Sequence, residues 1–282
     1  MAETEPVQGT FQPGLLSRLL ARWGALWIGV FEMIGGVSWL LFDVMRWIWR
    51  GVSRRNTRLG RTAIVTQVVR VGVRSVAIVM LVSGAIGMIL ALQMKAPLDE
   101  FGQADKIANI VGVAIFRELG PLIAAIVLTG FAGAAIAAEL GTMVVGEEIE
   151  ALEAHALNPV RFLVVPRVLA TTASLLCLAV IANLTAVGAG AGISILFLDV
   201  PAGLYWQNTI NQVTSTDFVT GLIKAVVFGV ILGSIACYNG LRVTGGAAGV
   251  GRATTSTVVQ TIVWIIIADL LFTTMFFLFG WT

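Results

Sequence analysis

The sequence predicts an all-α integral membrane protein with about five transmembrane helices, an N-terminal helix at the membrane interface and a short cytoplasmic helix between two spans. Composition is the first reason: 57% of the 282 residues are hydrophobic and 12% are charged, whereas soluble domains are about 45–50% apolar and about 25% charged. The second reason is that several apolar runs reach the ~20 residues that a helix needs to cross a bilayer.

The same composition excludes several classes of protein and site. The formal net charge of +2 is too small to indicate nucleic-acid binding. Cys177 and Cys237 lie in apolar runs and His155 is the single histidine, so neither a disulfide framework nor a histidine metal centre is expected. No pattern of nucleophile and base indicates an active site. The chain is therefore predicted not to be an enzyme and to hold no cofactor or metal.

The first 60 residues are predicted to form a tail and an interfacial helix region. Residues 1–14 are acidic and polar and lack the basic start and apolar core of a signal peptide. Residues 15–50 are rich in tryptophan and arginine, which favour the membrane–water boundary, and Glu32 and Asp43 interrupt their apolar stretch. We expect one or two helices along the membrane surface here, with a true span as the alternative.

Five segments of the second predicted domain, residues 61–282, are long enough to cross a membrane. They lie near residues 75–94, 107–138, 168–198, 218–241 and 257–281. At about 1.5 Å per residue, the second and third segments exceed a hydrocarbon core of about 30 Å. Tilt, extension beyond the bilayer or a kink at Pro121 is therefore expected.

The distribution of charge predicts the orientation of these spans. Eight arginines and no acidic residue lie between Arg46 and Arg74, and such segments remain cytoplasmic under the positive-inside rule. Alternation then places segment 139–167 inside and segment 199–217 outside, where Asp217 would be an isolated charge. It also places the N-terminus inside and the C-terminus outside.

Segment 139–167 contains the pattern of a short amphipathic helix over residues 146–157. Its apolar positions are Val145, Ile149, Leu152 and Ala156, and its acidic positions are Glu147, Glu148, Glu150 and Glu153. The apolar positions recur at helical spacing. Such a helix could lie on the membrane, but the cytoplasmic face of a bilayer is negatively charged and repels an acidic helix. We predict instead that it docks into a groove on a soluble partner. The residues expected at that contact are Glu147, Glu148, Ile149 and Leu152.

Four ionisable residues fall within the predicted spans: Arg117, Glu118, Lys224 and Asp269. Each is costly there unless it has a partner or water. Adjacent helical residues point about 100° apart, so Arg117 and Glu118 are not expected to neutralise each other. Pairing between spans, such as Glu118 with Lys224, is expected instead. These pairs would either fix helix packing or line a polar part of a substrate cavity, and both interpretations remain open.

Four segments carry a resemblance to a known family. They are FRELGPLIAAIVLTGFAGAAIAAELGTM at 116–143, GEEIEALEAHALNPVRFLVVPRVLA at 146–170, GLIKAVVFG at 221–229 and GVGRATTSTVV at 249–259. Together they resemble the MlaE/YrbE family, the permease subunits of MCE-type ABC lipid transporters, over roughly residues 62–280. Phe131 and Ala134 depart from the family pattern, because many members have Arg and Ser at these positions. The departure makes this region more apolar.

The resemblance implies a homodimer of permeases in the bacterial inner membrane, with a dimer of cytosolic ABC ATPases that use ATP and Mg. It also implies a periplasmic hexamer of MCE-domain proteins and, in some systems, a STAS-domain subunit. Such systems move phospholipids between the inner membrane and the outer envelope and maintain outer-membrane lipid asymmetry. The helix at 146–157 would be the coupling helix in the ATPase groove.

The resemblance also bears on the charged residues, since Glu118 and Lys224 correspond to charges that the family has within its spans. A phosphate headgroup would favour Arg117 or Lys224 nearby. Three alternatives remain: an ion-coupled secondary carrier with a relay of Glu118, Lys224 and Asp269, a membrane scaffold that transports nothing, and MCE-type import of another hydrophobic substrate such as a sterol.

Overall fold

The computed structural model describes residues 15–53, 61–103 and 106–280, and every regular element in these ranges is helical. The acidic tail at 1–14 and the arginine-bearing segment 54–60 lie outside the described residues, so the predicted orientation and the boundary near residue 60 remain predictions. The α-helices, in chain order, are α1 Leu15–Ser53, α2 Arg61–Val71, α3 Val76–Glu100, α4 Ile107–Ala114, α5 Gly120–Leu128, α6 Ala134–Val145, α7 Glu148–Ala154, α8 Val165–Phe197, α9 Ala202–Gln212, α10 Ser215–Leu241 and α11 Gly246–Leu278.

Within the described ranges, six helical segments are long and apolar enough to cross a membrane, one more than the five that the sequence predicts. Five of them correspond to the predicted spans: Thr62–Glu100, Ile107–Val145, Val160–Phe197, Ser215–Leu241 and Gly246–Leu278. The additional segment is Trp23–Gly51 of α1. The all-α integral membrane fold is therefore confirmed.

The contacts of α1, a single continuous helix, indicate where it lies. Glu32 accepts a hydrogen bond of 2.6 Å from Arg242, just after α10, and the Trp47 ring lies 5.5 Å from the Arg161 guanidinium, just before α8. Both partners lie at the end of the bundle that carries α7 (the α7 end), although Glu32 and Trp47 are about 22 Å apart along α1. A helix parallel to the spans would contact opposite ends, so these contacts favour the predicted position across the membrane face.

Helix α8 is central and packs against α2, α3, α5 and α10. A large apolar cluster surrounds Leu128, Leu175 and Phe228, and α1 contributes Val44 to it. A second cluster, around Ile107 and other buried residues of α4, α8 and α9, lies towards the opposite end of the bundle (the α9 end). Many apolar side chains on α1, α3 and α11 remain exposed, which is typical of surfaces that contact lipid or another subunit.

Three wide, π-helical turns interrupt the long helices, at Ile115–Leu119, Thr129–Gly133 and Val160–Val164. The first ends shortly before Pro121, and the third ends shortly before Pro166. Proline has no backbone N–H and its ring clashes with the carbonyl four residues earlier, so a wider turn lets the helix continue across the proline. The irregularity expected at Pro121 is therefore a π-helical turn just before it.

The start of the last span differs from the sequence prediction. Helix α11 begins at Gly246 rather than near 257, because residues that look like a glycine-rich loop form its first turns. Gly245 and Gly246 have φ values of +85° and +64°. Glycine adopts these left-handed angles without steric cost, which allows the chain to reverse sharply between α10 and α11.

Two connecting segments also differ from the prediction. Segment 199–217, for which the sequence predicts no helix, contains α9, whose Tyr205 is fully buried in the second apolar cluster. The amphipathic helix expected over 146–157 is limited to α7, Glu148–Ala154. It is shorter because Glu147 and Ala156 both have left-handed backbone conformations, with φ of +58°.

Candidate functional site

A charged cluster (the Lys224 cluster: Glu118, Lys224, Asp269 and Thr273) joins three helical segments inside the bundle. The Lys224 ammonium donates to the Glu118 carboxylate and to Thr273 Oγ1 at 2.9 Å, and it lies 2.9 Å from Asp269 Oδ1. The Asp269 contact is an ion pair without hydrogen-bond alignment. Thr273 in turn donates to Glu118 Oε1 at 3.0 Å. The predicted pairing of Glu118 with Lys224 is therefore present.

Burial differs sharply within this cluster. The Lys224 side chain is 0% exposed, whereas the side chains of Glu118 and Asp269 are 28% and 17% exposed. The Lys224 ammonium is thus enclosed behind two carboxylates. With one cation and two anions, the cluster has a formal charge of −1. A phosphate cannot approach Lys224 in this arrangement, since the ammonium is inaccessible and the carboxylates would repel an anion. The phosphate contact considered for Lys224 from the sequence does not fit this geometry.

Arg117, although adjacent to Glu118, belongs to a separate ion pair. Its Nε and Nη2 atoms donate to Asp217 Oδ1 at 2.9 and 2.5 Å. Asp217 Oδ2 accepts from the backbone N–H and the hydroxyl of Thr214 at 2.9 and 2.8 Å. These two residues form a reciprocal capping box at the start of α10. Asp217 is buried at 2% exposure and paired, so it is not an isolated charge, and its predicted location on the outer side remains a prediction.

A close approach of two helices places both networks side by side. At Gly221, α10 lies so close to the π-helical turn at 115–119 that a Cβ atom would collide with the Phe116 carbonyl oxygen. Asp217 precedes this glycine by about one turn and Lys224 follows it by about one turn. Asp217 at one end of this contact therefore lies opposite Arg117, and Lys224 at the other end lies opposite Glu118.

An open cavity of about 800 Å³ lies beside Arg117 at the α9 end. Its polar lining residues are Arg117, Gln212, Thr214, Ser215, Thr216, Asp217 and Thr220. The Arg117 side chain is 23% exposed. Of the two cations predicted within the spans, Arg117 is therefore the one that a ligand in this cavity could reach.

The short helix α7 is exposed at the opposite end of the bundle. None of its residues is buried; Ile149 and Leu152 are half-buried, and Glu147 and Glu148 are exposed. The helix lies between the ends of two long helical segments, so force on α7 would act on both. Its accessibility fits the predicted docking to a partner, and the docking remains a prediction.

The two departures from the family pattern lie near the second π-helical turn. Phe131 is within this turn and 44% exposed, and Ala134 is half-buried at the start of α6. Phe131 therefore places an apolar ring on the surface, at a position where many members of the family that this sequence resembles have Arg. Such a surface suits an acyl chain better than a phosphate.

Three residues of these networks were missed from the sequence: Asp217 as a partner, Thr214 and Thr273. The spacing of Thr214 and Asp217 is a signal that could have identified a helix start. Thr273 lies four residues after Asp269 and therefore on the same helix face, which is the signal that distinguishes it from the adjacent Thr274. Within the described ranges, no group of three or more His, Cys, Asp or Glu residues could hold a metal ion, and Cys177 and Cys237 are free.

Comparisons with a family model and with individual relatives agree on one family of membrane permeases. The MlaE permease family matches residues 64–275. A probable ABC transporter permease protein of Rickettsia prowazekii is 38% identical over 214 residues, which cover 76% of this chain and 83% of the relative. The chloroplastic protein TRIGALACTOSYLDIACYLGLYCEROL 1 of Arabidopsis thaliana is 32% identical over 250 residues, covering 82% of this chain and 69% of that protein.

A further relative carries a more specific description. The intermembrane phospholipid transport system permease protein MlaE of Haemophilus influenzae is 29% identical over 264 residues, which cover 93% of this chain and 99% of the relative. The region that matches the family includes α7, both ion-pair networks and the three π-helical turns.

Proposed function

This chain belongs to the MlaE permease family, and we propose that it is the membrane subunit of an ABC transporter that moves phospholipids between the inner membrane and the outer envelope. The observation that carries the proposal is the similarity to the Haemophilus phospholipid permease over 93% of this chain. The family also makes it a multi-pass inner-membrane permease, and it does not favour the ion-coupled carrier or the scaffold.

The transport path is proposed to lie between two copies of this chain. The cavity beside Arg117 is open at the surface of one bundle, and the carboxylates of the Lys224 cluster remain partly exposed beside α11. A second copy would cover this surface and the exposed apolar residues on the same face of α11 as Asp269 and Thr273. Acyl chains would contact the apolar walls, including Phe131, and the phosphate would approach Arg117 in the open cavity.

The partners follow from the family resemblance. A dimer of cytosolic ATPases would bind ATP and Mg, a periplasmic MCE-domain hexamer would receive or deliver lipid, and a STAS-domain subunit would complete some complexes. In this arrangement the N-terminus is cytoplasmic and the C-terminus periplasmic. Helix α7 is the proposed coupling helix, and ATP binding would move it together with the ends of α6 and α8. The intramembrane charges would then change position relative to the cavity.

A double substitution, Ile149→Asp with Leu152→Asp, tests the coupling. Both side chains are half-buried and no residue of α7 is buried, so we expect the fold to be kept, with a loss of about 2 kcal/mol in the free energy of unfolding. We expect the ATPase to stop copurifying and lipid-stimulated ATP hydrolysis to disappear. Copurification and hydrolysis are measured on the complex in proteoliposomes.

The matched control is Ile210→Asp. Ile210 is 73% exposed on α9 at the other end of the bundle, so this variant should retain the ATPase. The coupling proposal is wrong if the double variant keeps both the ATPase and lipid-stimulated hydrolysis.

A further inference from the structure

An apolar groove and a polar pocket adjoin each other beneath α1, away from both charge networks. The groove has a volume of about 210 Å³ and lies between α1, α10 and α11; its walls include Val37, Ser38, Ile235, Trp264 and Leu271. The pocket, of about 360 Å³, contains Glu32, Asn239, Arg242, Arg252 and Ser256. Met33 lines both spaces and therefore marks where they meet.

The two spaces follow one another along the helices. The pocket is formed by the last turn of α10 and the early turns of α11, which lie at the α7 end. The groove is formed by residues one to two turns farther from that end on both helices. If α1 lies across the membrane face, the pocket is at headgroup depth and the groove is at acyl-chain depth. This is the order of the two parts of a phospholipid.

The charges of the pocket favour an anion. Arg242 already has partners, since its Nη2 donates to Glu32 Oε1 at 2.6 Å and its Nη1 donates to the Tyr238 hydroxyl. Arg252 is exposed and, within the described ranges, has neither an ion-pair nor a hydrogen-bond partner. With Glu32 counted, the formal charge of the pocket is +1. A guanidinium that is free at headgroup depth is suited to bind phosphate through two N–H donors.

We propose that this site binds one phospholipid of the leaflet in which α1 lies, with its phosphate at Arg252 and one acyl chain in the groove. The combined site is within the size range of ligand pockets. It is separate from the proposed transport path, because Asp269 and Thr273 of α11 face the Lys224 cluster whereas Ala268 and Leu271 face the groove. The lipid would hold α1 against α10 and α11. This inference does not require the ATPase or a transport activity.

Photolabelling of the full chain in uncharged maltoside micelles tests the site. The probe is phosphatidylglycerol with a diazirine in one acyl chain, and labelled peptides are identified by mass spectrometry. We expect labelling of residues 33–41 on α1 and 264–271 on α11. A diacylglycerol probe with the same chain but no phosphate should label these peptides about tenfold less, since it lacks the charge-assisted hydrogen bonds.

Two pairs of variants separate the phosphate contact from the chain contact. Arg252→Gln should reduce labelling by phosphatidylglycerol about tenfold, whereas Arg74→Gln, at another exposed arginine, should not. Ser38→Phe should fill the groove and reduce labelling by both probes, whereas Thr66→Phe on the exposed face of α2 should not. Ser38 is exposed, so the variant is expected to fold, and thermal unfolding checks this.

Three results would each overturn the proposal. The first is equal labelling by the two probes, which would mean that phosphate is not recognised. The second is labelling of Arg252→Gln at the level of Arg74→Gln. The third is labelling of the two segments no stronger than that of the exposed apolar face of α3, which would indicate general contact with hydrophobic surface.

Discussion

Two neighbouring residues of one helical turn, Arg117 and Glu118, enter networks of opposite design. Glu118 belongs to the Lys224 cluster, in which the buried ammonium of α10 contacts two partly exposed carboxylates, those of Glu118 and of Asp269 on α11. Arg117 joins a pair in which one buried carboxylate receives donors from Arg117 and from its own helix start. The enclosed ion is a cation in the first network and an anion in the second.

The difference indicates separate roles for the two networks. The Lys224 cluster connects three helical segments and leaves its cation inaccessible, which suits helix packing. The Arg117–Asp217 pair borders an open polar cavity, and its cation is accessible, which suits contact with a ligand. Of the two interpretations that the sequence left open, the geometry thus favours packing for one network and a cavity lining for the other. Three substitutions test this division.

Removal of the enclosed cation should have the largest effect. Lys224→Met leaves two carboxylates side by side without their counter-ion, and breaking a buried ion pair from one side costs about 3–5 kcal/mol. The loss is measured as a lower unfolding temperature in detergent. A triple variant that adds Glu118→Gln and Asp269→Asn removes the uncompensated charge and should recover most of the stability. If the single variant is as stable as the triple variant, Lys224 does not stabilise the packing of the three helical segments.

Removal of the enclosed anion should have an intermediate effect. Asp217→Asn weakens the capping box and leaves Arg117 without its counter-ion, which should cost about 1–2 kcal/mol because Arg117 can still reach water in the cavity. Asp199→Asn, at an exposed aspartate, should be neutral in the same unfolding measurement. A loss as large as that of Lys224→Met would show that the two networks are equally enclosed and would remove the contrast between them.

Removal of the Thr273 hydroxyl, which bridges Lys224 and Glu118, should have the smallest effect. Thr273→Val removes a donor to Glu118 and an acceptor from Lys224, and one such hydrogen bond contributes about 1 kcal/mol. Thr274→Val is a matched control, because the Thr274 hydroxyl donates to the Leu270 carbonyl of its own helix and has no other hydrogen-bond partner among the described residues. Equal unfolding temperatures for the two variants would show that the bridge adds nothing to the cluster.

The spans and one interhelical pair could be predicted from the sequence because their causes are local or general. Long apolar runs must be helical in a membrane, and an ionised Glu118 within a span requires a partner of opposite charge. Lys224 was a suitable cation elsewhere in the spans, so a pairing with it could be anticipated without the fold.

The partner of Arg117, by contrast, could not be predicted from local sequence. Its position opposite Asp217 results from the close helix contact at Gly221, which depends on tertiary packing. Helix α9 was missed because its residues are too polar to resemble a span. The early start of α11 was missed because its glycines are typical of loops, although here only Gly245 and Gly246 adopt loop-like angles.

The wide turn at 115–119 also affects how this segment tolerates changes in length. Elsewhere in a span, deletion of one residue rotates everything after it by about 100°. A π-helical turn contains one residue more than the α-helical path between the same ends. One deletion here would therefore leave both flanks in phase, but Pro121 would then lie inside a regular α-helix, where its ring clashes with the carbonyl four residues earlier. The helix would kink at Pro121, and the turn could no longer direct the adjacent charges of Arg117 and Glu118 to two different partners.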